Sequence, residues 1–136
     1  MFILDTNVVS ELRRTERANP NVSTWAEATP LAQIFLSAIT VLELELGVLQ
    51  TERRDPAQGR ILRAWLNDQI SPRFESRILA FDAAVARRCA RLHVPDPRSE
   101  RDAIIAATAL VHGMTVVTRN VSDFALTGVE LLNPWE

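Results

Sequence analysis

Apolar residues recur along the chain in short unbroken runs and in stretches with helical spacing. Phe2-Ile3-Leu4 predicts a short buried strand; Asp5-Thr6-Asn7 ends it, and Val8 to Arg13 predicts a helix. Asn19-Pro20-Asn21 marks a turn before a second short helix over Val22 to Glu27, and Gln33 to Ile39 predicts another buried strand. Leu42-Glu43-Leu44-Glu45-Leu46 alternates like a strand, yet Leu and Glu are good helix formers. Thr40 followed by Glu43 fits a capping box, which predicts a helix starting at Thr40 and ending near Gly47 or a turn later. Asp55-Pro56 starts a helix whose stripe is Ile61, Leu62, Trp65, Leu66 and Ile70, and Ser71-Pro72 is expected to stop it. Arg77 to Phe81 predicts a strand and Ala83 to Leu92 a helix; Pro95 and Pro97 bracket a turn. Ser99 is expected to cap a helix that runs to His112 and stops at Gly113. Thr115 to Thr118 and Glu130 to Leu132 predict the last strands.

Strands that alternate with helices, and that are apolar throughout, predict an α/β fold with a central parallel β-sheet flanked by α-helices. With 136 residues and no linker or repeat, a single domain over residues 1–136 is expected. In such sheets ligands bind beyond the carboxyl ends of the strands.

Composition narrows the chemistry. Every one of the 15 basic residues is Arg. Without Lys there is no phosphate loop of the Walker type and no pyridoxal Schiff base. One cysteine, Cys89, forms no intrachain disulfide, and with only His93 and His112 it makes no structural zinc site. The apolar runs fall far short of the roughly 18 residues that span a bilayer. Asp5 comes directly after Met1-Phe2-Ile3-Leu4, so no signal-peptide core is expected, and the protein is expected in the cytoplasm. A net charge of -2 argues against general coating of nucleic acid but permits a local basic face.

Four acids then stand out. Asp5 follows the first strand, Glu43 is expected in the first turn after the second, Asp102 lies in the first turn of a helix, and Asp123 follows the Thr115–Thr118 strand. Each is also placed where a helix N-terminus favours negative charge, so capping alone accounts for any one of them. The set is harder to explain that way. Carboxylates ~4 Å apart repel by about 4 kcal/mol at an effective dielectric near 20, and caps have no need to converge. Hard oxygen ligands suit Mg²⁺ or Mn²⁺, which would support metal-assisted hydrolysis of a phosphodiester.

Four segments carry a resemblance. Phe2-Ile3-Leu4-Asp5-Thr6-Asn7-Val8, Ile39 to Gly47, Arg101 to Ala109 and Val117 to Phe124 resemble, in order and spacing, the acidic segments of PIN-domain ribonucleases. The likeness is greatest to the small VapC-like bacterial toxins, their FitB-like branch included. The resemblance implies a PIN-like fold and a Mg²⁺- or Mn²⁺-dependent endoribonuclease. It would be the toxin of a toxin–antitoxin pair, with RNA as substrate. Asp5, Glu43, Asp102 and Asp123 match the family's acidic quartet. Asp5 and Asp102 match the direct ligands, while Glu43 and Asp123 match acids that often act through water. Thr6 and Asn7 match the turn that presents the first acid, and Thr118 and Asn120 match polar positions that orient the site. A homodimer and a small VapB-like antitoxin, inserting a basic residue into the acidic pocket, are further implications.

Two other readings were weighed: a phosphatase of the haloacid-dehalogenase type and a non-catalytic PIN-like binding or assembly module. The first wants Asp-x-Asp after strand one and a later Lys, where this chain has Asp5-Thr6-Asn7 and no Lys. The intact quartet counts against the second. His93 and Cys89 at i+4 suggest a nucleophile pair only weakly, since no oxyanion-type loop accompanies them. Trp65 is expected in the core or an interface. Arg53-Arg54 and Arg87-Arg88 with Arg91 are expected to be solvated faces, or else to hold an RNA backbone.

Overall fold

A computed structural model describes residues 1–136, the side chain of Thr15 excepted. Among the described residues, five short strands form one sheet in the order β3-β2-β1-β4-β5, parallel throughout. They are β1 (Phe2–Leu4), β2 (Ile34–Ser37), β3 (Ile78–Leu79), β4 (Thr115–Val117) and β5 (Leu131–Leu132). Helices α1 (Thr6–Arg13) and α2 (Pro20–Ala28) connect β1 to β2. Helices α3 (Ala38–Arg54), α4 (Pro56–Trp65) and α5 (Ser71–Phe74) lead to β3, and α6 (Ala83–Leu92) and α7 (Glu100–His112) lead to β4.

Alternation along the strands divides the core. On one face Leu4, Leu36 and Val117 pack with Val8, Val9, Val22, Leu44 and Val48. On the other, Ile3 and Val116 pack with Ile105, Ala106 and Ala109 of α7. From β1 the chain proceeds outward to β2 and β3, then returns to β4 on the other side of β1. The crevice beyond the carboxyl ends of β1 and β4 is therefore a topological switch point, where such sheets bind ligands.

The expected α6 range is met, as is the stop of α7 at Gly113, whose φ of +66° is left-handed. Other boundaries differ. α1 begins at Thr6 because Asp5 is its cap. α2 begins at Pro20, capped by Asn19, so the expected turn belongs to the helix start. β2 ends at Ser37, which caps α3 by accepting from the Ile39 N–H at 3.2 Å. Thr40 is not the cap; it is fully buried within the first turn of α3. α3 also runs past Gly47 to Arg54, because its partner helix α4 folds back along it. Pro72 does not stop the helical path. The helix widens into a π-helical turn at Leu66–Ile70, and the Ser71 N–H bonds to the Leu66 carbonyl five residues back. Widening accommodates a ring that would clash with the ordinary i−4 carbonyl. The strand expected over Arg77 to Phe81 shrinks to Ile78–Leu79 at the sheet edge.

Two glycines of the α3–α4 pair predict opposite outcomes. A Cβ on Gly59 would lie 2.5 Å from the Glu52 Cα and 2.9 Å from its backbone nitrogen, so α4 approaches α3 through this gap. Gly59→Ala is expected to lower stability by about 1–3 kcal/mol through overpacking. At Gly47 nothing lies within 4 Å, and Gly47→Ala is expected to stabilise by roughly 0.5–1 kcal/mol. Urea titrations of both variants check the pair.

Candidate functional site

The switch point brings β1, β4 and the starts of α1 and α7 to one end of the sheet. Asp5, directly after β1, is 7% exposed. Its Oδ1 accepts from the Thr6 N–H at 2.8 Å, so it caps α1. Its Oδ2 accepts from the Thr118 hydroxyl at 2.8 Å and from the Asn7 amide at 3.3 Å. Thr118, fully buried after β4, in turn accepts from the Asn120 N–H at 2.9 Å. The expected orienting residues Thr6, Asn7, Thr118 and Asn120 therefore form one hydrogen-bonded frame around Asp5. All donors to Asp5 are neutral.

Glu43 sits in the second turn of α3, since the helix starts at Ala38 rather than Thr40. Capping therefore does not account for it. Its Oε1 accepts from the Thr6 hydroxyl at 3.1 Å, which links α3 to the turn after β1. Its Oε2 lies 3.7 Å from an Arg101 guanidinium nitrogen at the start of α7. That contact was not legible from spacing, although Arg101 adjoins Asp102 in the third acidic segment. The pair is partly exposed, so it contributes little to stability and is readily exchanged for another cation. Asp102 lies in the first turn of α7, and Asp123 in a 3₁₀ turn over Val121–Phe124.

Burial raises the Asp5 pKa above the ordinary carboxylate range. The Thr118 and Thr6 hydrogen bonds oppose that rise, and the charges of Glu43 and Asp123 add to it. Burial likewise raises Asp102, with Asp5 and Asp123 adding to the effect and Ser99 opposing it. The four acids thus share one electrostatic field, which a row of separate caps would not require. Among the described residues, however, no three Asp, Glu, His or Cys side chains stand close enough together to hold a metal ion as arranged. The convergence is one of field and location, not of a closed ligand cage.

The donor set nonetheless fits a hard divalent cation. It consists of carboxylate oxygens without nearby His or Cys, and its most buried member has no cation beside it. The surroundings of Cys89 disfavour a thiolate nucleophile. Burial first, and Glu100 second, push its thiol up, and its sulfur stands 4.0 Å from His93. Trp65 is partly buried against the α1–α3 core. Arg53, Arg54, Arg87 and Arg91 are exposed and Arg88 is half-buried, which both expected readings, a solvated face or an RNA-holding one, require.

Comparison with known proteins places this geometry in context. A family model described as PIN domain matches residues 2–128. The chain is 38% identical over 144 residues to "VapC ribonuclease Y4jK" of Sinorhizobium fredii, covering 100% of this chain and 99% of that protein. Its fold is similar to the crystal structure of FitAcB from Neisseria gonorrhoeae, with a TM-score of 0.91 and 38% identity, covering 100% and 99% of the two chains. It is also similar to a chain of a toxin–antitoxin complex from Klebsiella pneumoniae, with a TM-score of 0.71 and 27% identity, covering 100% and 99%.

Proposed function

Because the chain belongs to the PIN domain family, we propose that it is an endoribonuclease, the toxin of a toxin–antitoxin pair, dependent on Mg²⁺ or Mn²⁺. The observation that carries this reading is the buried Asp5 at the β1–β4 switch point, framed by neutral donors and raised in pKa by burial first and by the neighbouring acids second. The whole of residues 1–136 forms the catalytic domain, working in the cytoplasm where RNA is available. Among the described residues no helix is long and apolar enough to cross a membrane.

Asp5 and Asp102 would hold the cation most directly, with Glu43 and Asp123 completing the acidic quartet. Such a cation supplies a water of lowered pKa and neutralises charge on the phosphodiester. The chain's own residues set the stage for that chemistry. Thr118 and Asn7 fix the Asp5 carboxylate from one side, and the Thr6 N–H fixes it from the other. The Thr6 hydroxyl holds Glu43 toward the same end of the sheet. Glu43 and Asp123 would accept a proton from an attacking water.

A relative of 38% identity bears the name VapC ribonuclease, and a chain of 27% identity has been solved within a toxin–antitoxin complex. Both support the substrate class and a small VapB-like antitoxin as partner. An acidic pocket attracts a guanidinium as well as a metal, so the antitoxin would inhibit by inserting an Arg. We also propose that the toxin acts as a homodimer.

Incubation of the purified protein with structured and single-stranded RNA tests the activity. Cleavage is expected with Mg²⁺ or Mn²⁺ and is expected to stop on adding EDTA. Cleavage that persists in EDTA would remove the metal from the reading, and no cleavage with either ion would remove the activity.

A further inference from the structure

An open groove borders the acids on the side of α1 and the chain's last residues, lined by Asn7, Arg13, Arg14, Arg119 and Trp135 among others. We propose that this groove is a subsite for single-stranded RNA. Arg13, Arg14 and Arg119 contact backbone phosphates, and Trp135 stacks on a base next to the one being cleaved. The proposal rests on the ribonuclease reading for its ligand and adds the surface that holds it.

Continuity with the reacting acids is the first argument. Asn7 lines the groove and also donates to Asp5 at 3.3 Å. Arg119 directly follows Thr118, which donates to Asp5 at 2.8 Å, and its own N–H points to the Asn7 side-chain oxygen at 3.5 Å. A strand placed with its scissile phosphate at Asp5 therefore extends into this groove within a nucleotide or so.

Charge is the second. Four acids repel a polyanion, and the chain's net charge is -2, so RNA needs local cations to reach the site. The groove offers three guanidiniums against a single acid, Glu11. Glu11 is already engaged, 3.6 Å from Arg14 and accepting from the Asn19 N–H at 2.8 Å. Among the described residues, neither Arg13 nor Arg119 has a carboxylate within 4.0 Å. Each instead lies over an indole: Arg119 is 5.3 Å from the Trp135 ring centre and Arg13 is 5.9 Å from that of Trp65.

The third argument is the platform. The Trp135 N–H donates to the Asn133 side chain at 3.0 Å, and its carbonyl accepts from the Asn21 amide at 2.8 Å. Its backbone is thus pinned to α2, and its ring is only partly buried. An indole held at its backbone, packed in part on the core and with Arg119 already over its ring, beside arginines of which two lack a carboxylate partner, suits unpaired bases, which stack on aromatic rings without sequence preference. An acidic peptide would use the cations but gain nothing comparable from the indole, so RNA is the better fit.

Binding is measured on the Asp5→Asn protein with a fluorescein-labelled single-stranded RNA oligonucleotide of mixed sequence. Trp135→Ala is expected to weaken binding about tenfold or more, and Trp135→Phe much less. Arg119→Gln is expected to weaken binding and to reduce the salt dependence by about 0.7 in log–log slope, the share of one phosphate contact. Arg60→Gln, exposed on α4, is expected to change nothing. In the cleaving protein, Trp135→Ala is expected to raise KM for RNA far more than it lowers kcat.

Unchanged RNA affinity in Trp135→Phe and Arg119→Gln as well as Trp135→Ala, all folded by melting, would overturn the proposal. So would the absence of RNA binding by Asp5→Asn. Groove variants that bind RNA normally but lose a protein partner would assign the groove to that partner instead. Groove-dependent binding by a protein that never cleaves would sink the activity reading and leave the subsite standing. Cleavage with groove-independent binding would do the reverse.

Discussion

Asp5→Asn is expected to reduce RNA cleavage by a factor on the order of 100 or more while leaving the fold intact. Outer-shell partners of metal sites typically account for about ten- to hundredfold, and Asp5 is placed closer to the chemistry than those. Asparagine keeps the shape and an oxygen to accept from the Thr6 N–H, so the α1 cap survives. What it loses is the charge and the second acceptor, so the Thr118 hydroxyl and the Asn7 amide face an NH2 instead of an oxygen. Thr118→Val separates the two roles. It removes one of the neutral donors to Asp5 and leaves the carboxylate in place. Its loss of activity is expected to fall within the outer-shell range, about ten- to hundredfold, with weaker metal binding. Initial rates of RNA cleavage for the two purified variants, with circular dichroism to check the fold, measure both. An Asp5→Asn protein that cleaves at the wild-type rate would remove Asp5 from the chemistry.

Asp102→Asn is expected to raise the melting temperature of the metal-free protein at pH 7.5 by a few degrees. Burial, with Asp5 and Asp123 adding, raises the folded-state pKa of Asp102. A raised carboxyl pKa means that the folded protein holds a proton which the unfolded chain has released. The stability this contributes is full below the unfolded value, about 3.9, and is lost as pH rises through the raised folded value. At pH 7.5 without metal, the folded state therefore carries charges that repel one another. The variant removes one of them, so its advantage should shrink at pH 5. Mg²⁺ should then stabilise the wild type by about 2.7 kcal/mol at a hundred times its dissociation constant, and the variant much less. A first-turn cap would behave in the opposite way, since losing its charge costs ~0.3–1 kcal/mol and metal has no effect. Melting curves in EDTA and in Mg²⁺ at both pH values decide between the two. A variant less stable than the wild type in EDTA at pH 7.5, with no Mg²⁺ response in either protein, would reduce Asp102 to a cap.

Elements with strong local signals were legible in the sequence. The α6 pattern, bounded by Asp82 and His93, and the stop at Gly113 are decided by residues next to them in the chain. The start of α3 was not. Ser37 and Thr40 both carry a capping hydroxyl, and the choice between them turns on where β2 leaves the sheet and on the burial of Thr40, which are tertiary facts. Pro72 misled for a related reason, because packing of Leu66, Ile70 and Phe74 into the core keeps the helical path going through a widened turn. The acids themselves stand out by their places after strands and at helix starts, and the ordered resemblance of four segments adds to that. Their gathering at one end of the sheet follows from strand ends that face one side, whereas the bond from Thr118 to Asp5, across 113 residues of sequence, was not legible. The Arg101–Glu43 contact and the arginine groove by Trp135 were equally hidden, because each joins elements that only the sheet topology brings together.

On the proposed function, acids from separate segments make one divalent-cation site at the β1–β4 switch point. Crystals of the protein soaked in Mn²⁺ test it directly through the anomalous scattering of the metal. An anomalous peak bound by the Asp5 and Asp102 carboxylates is expected, with no such peak in Asp5→Asn crystals soaked in the same way. A wild-type crystal without a peak at these carboxylates, at Mn²⁺ concentrations that support cleavage in solution, would contradict it.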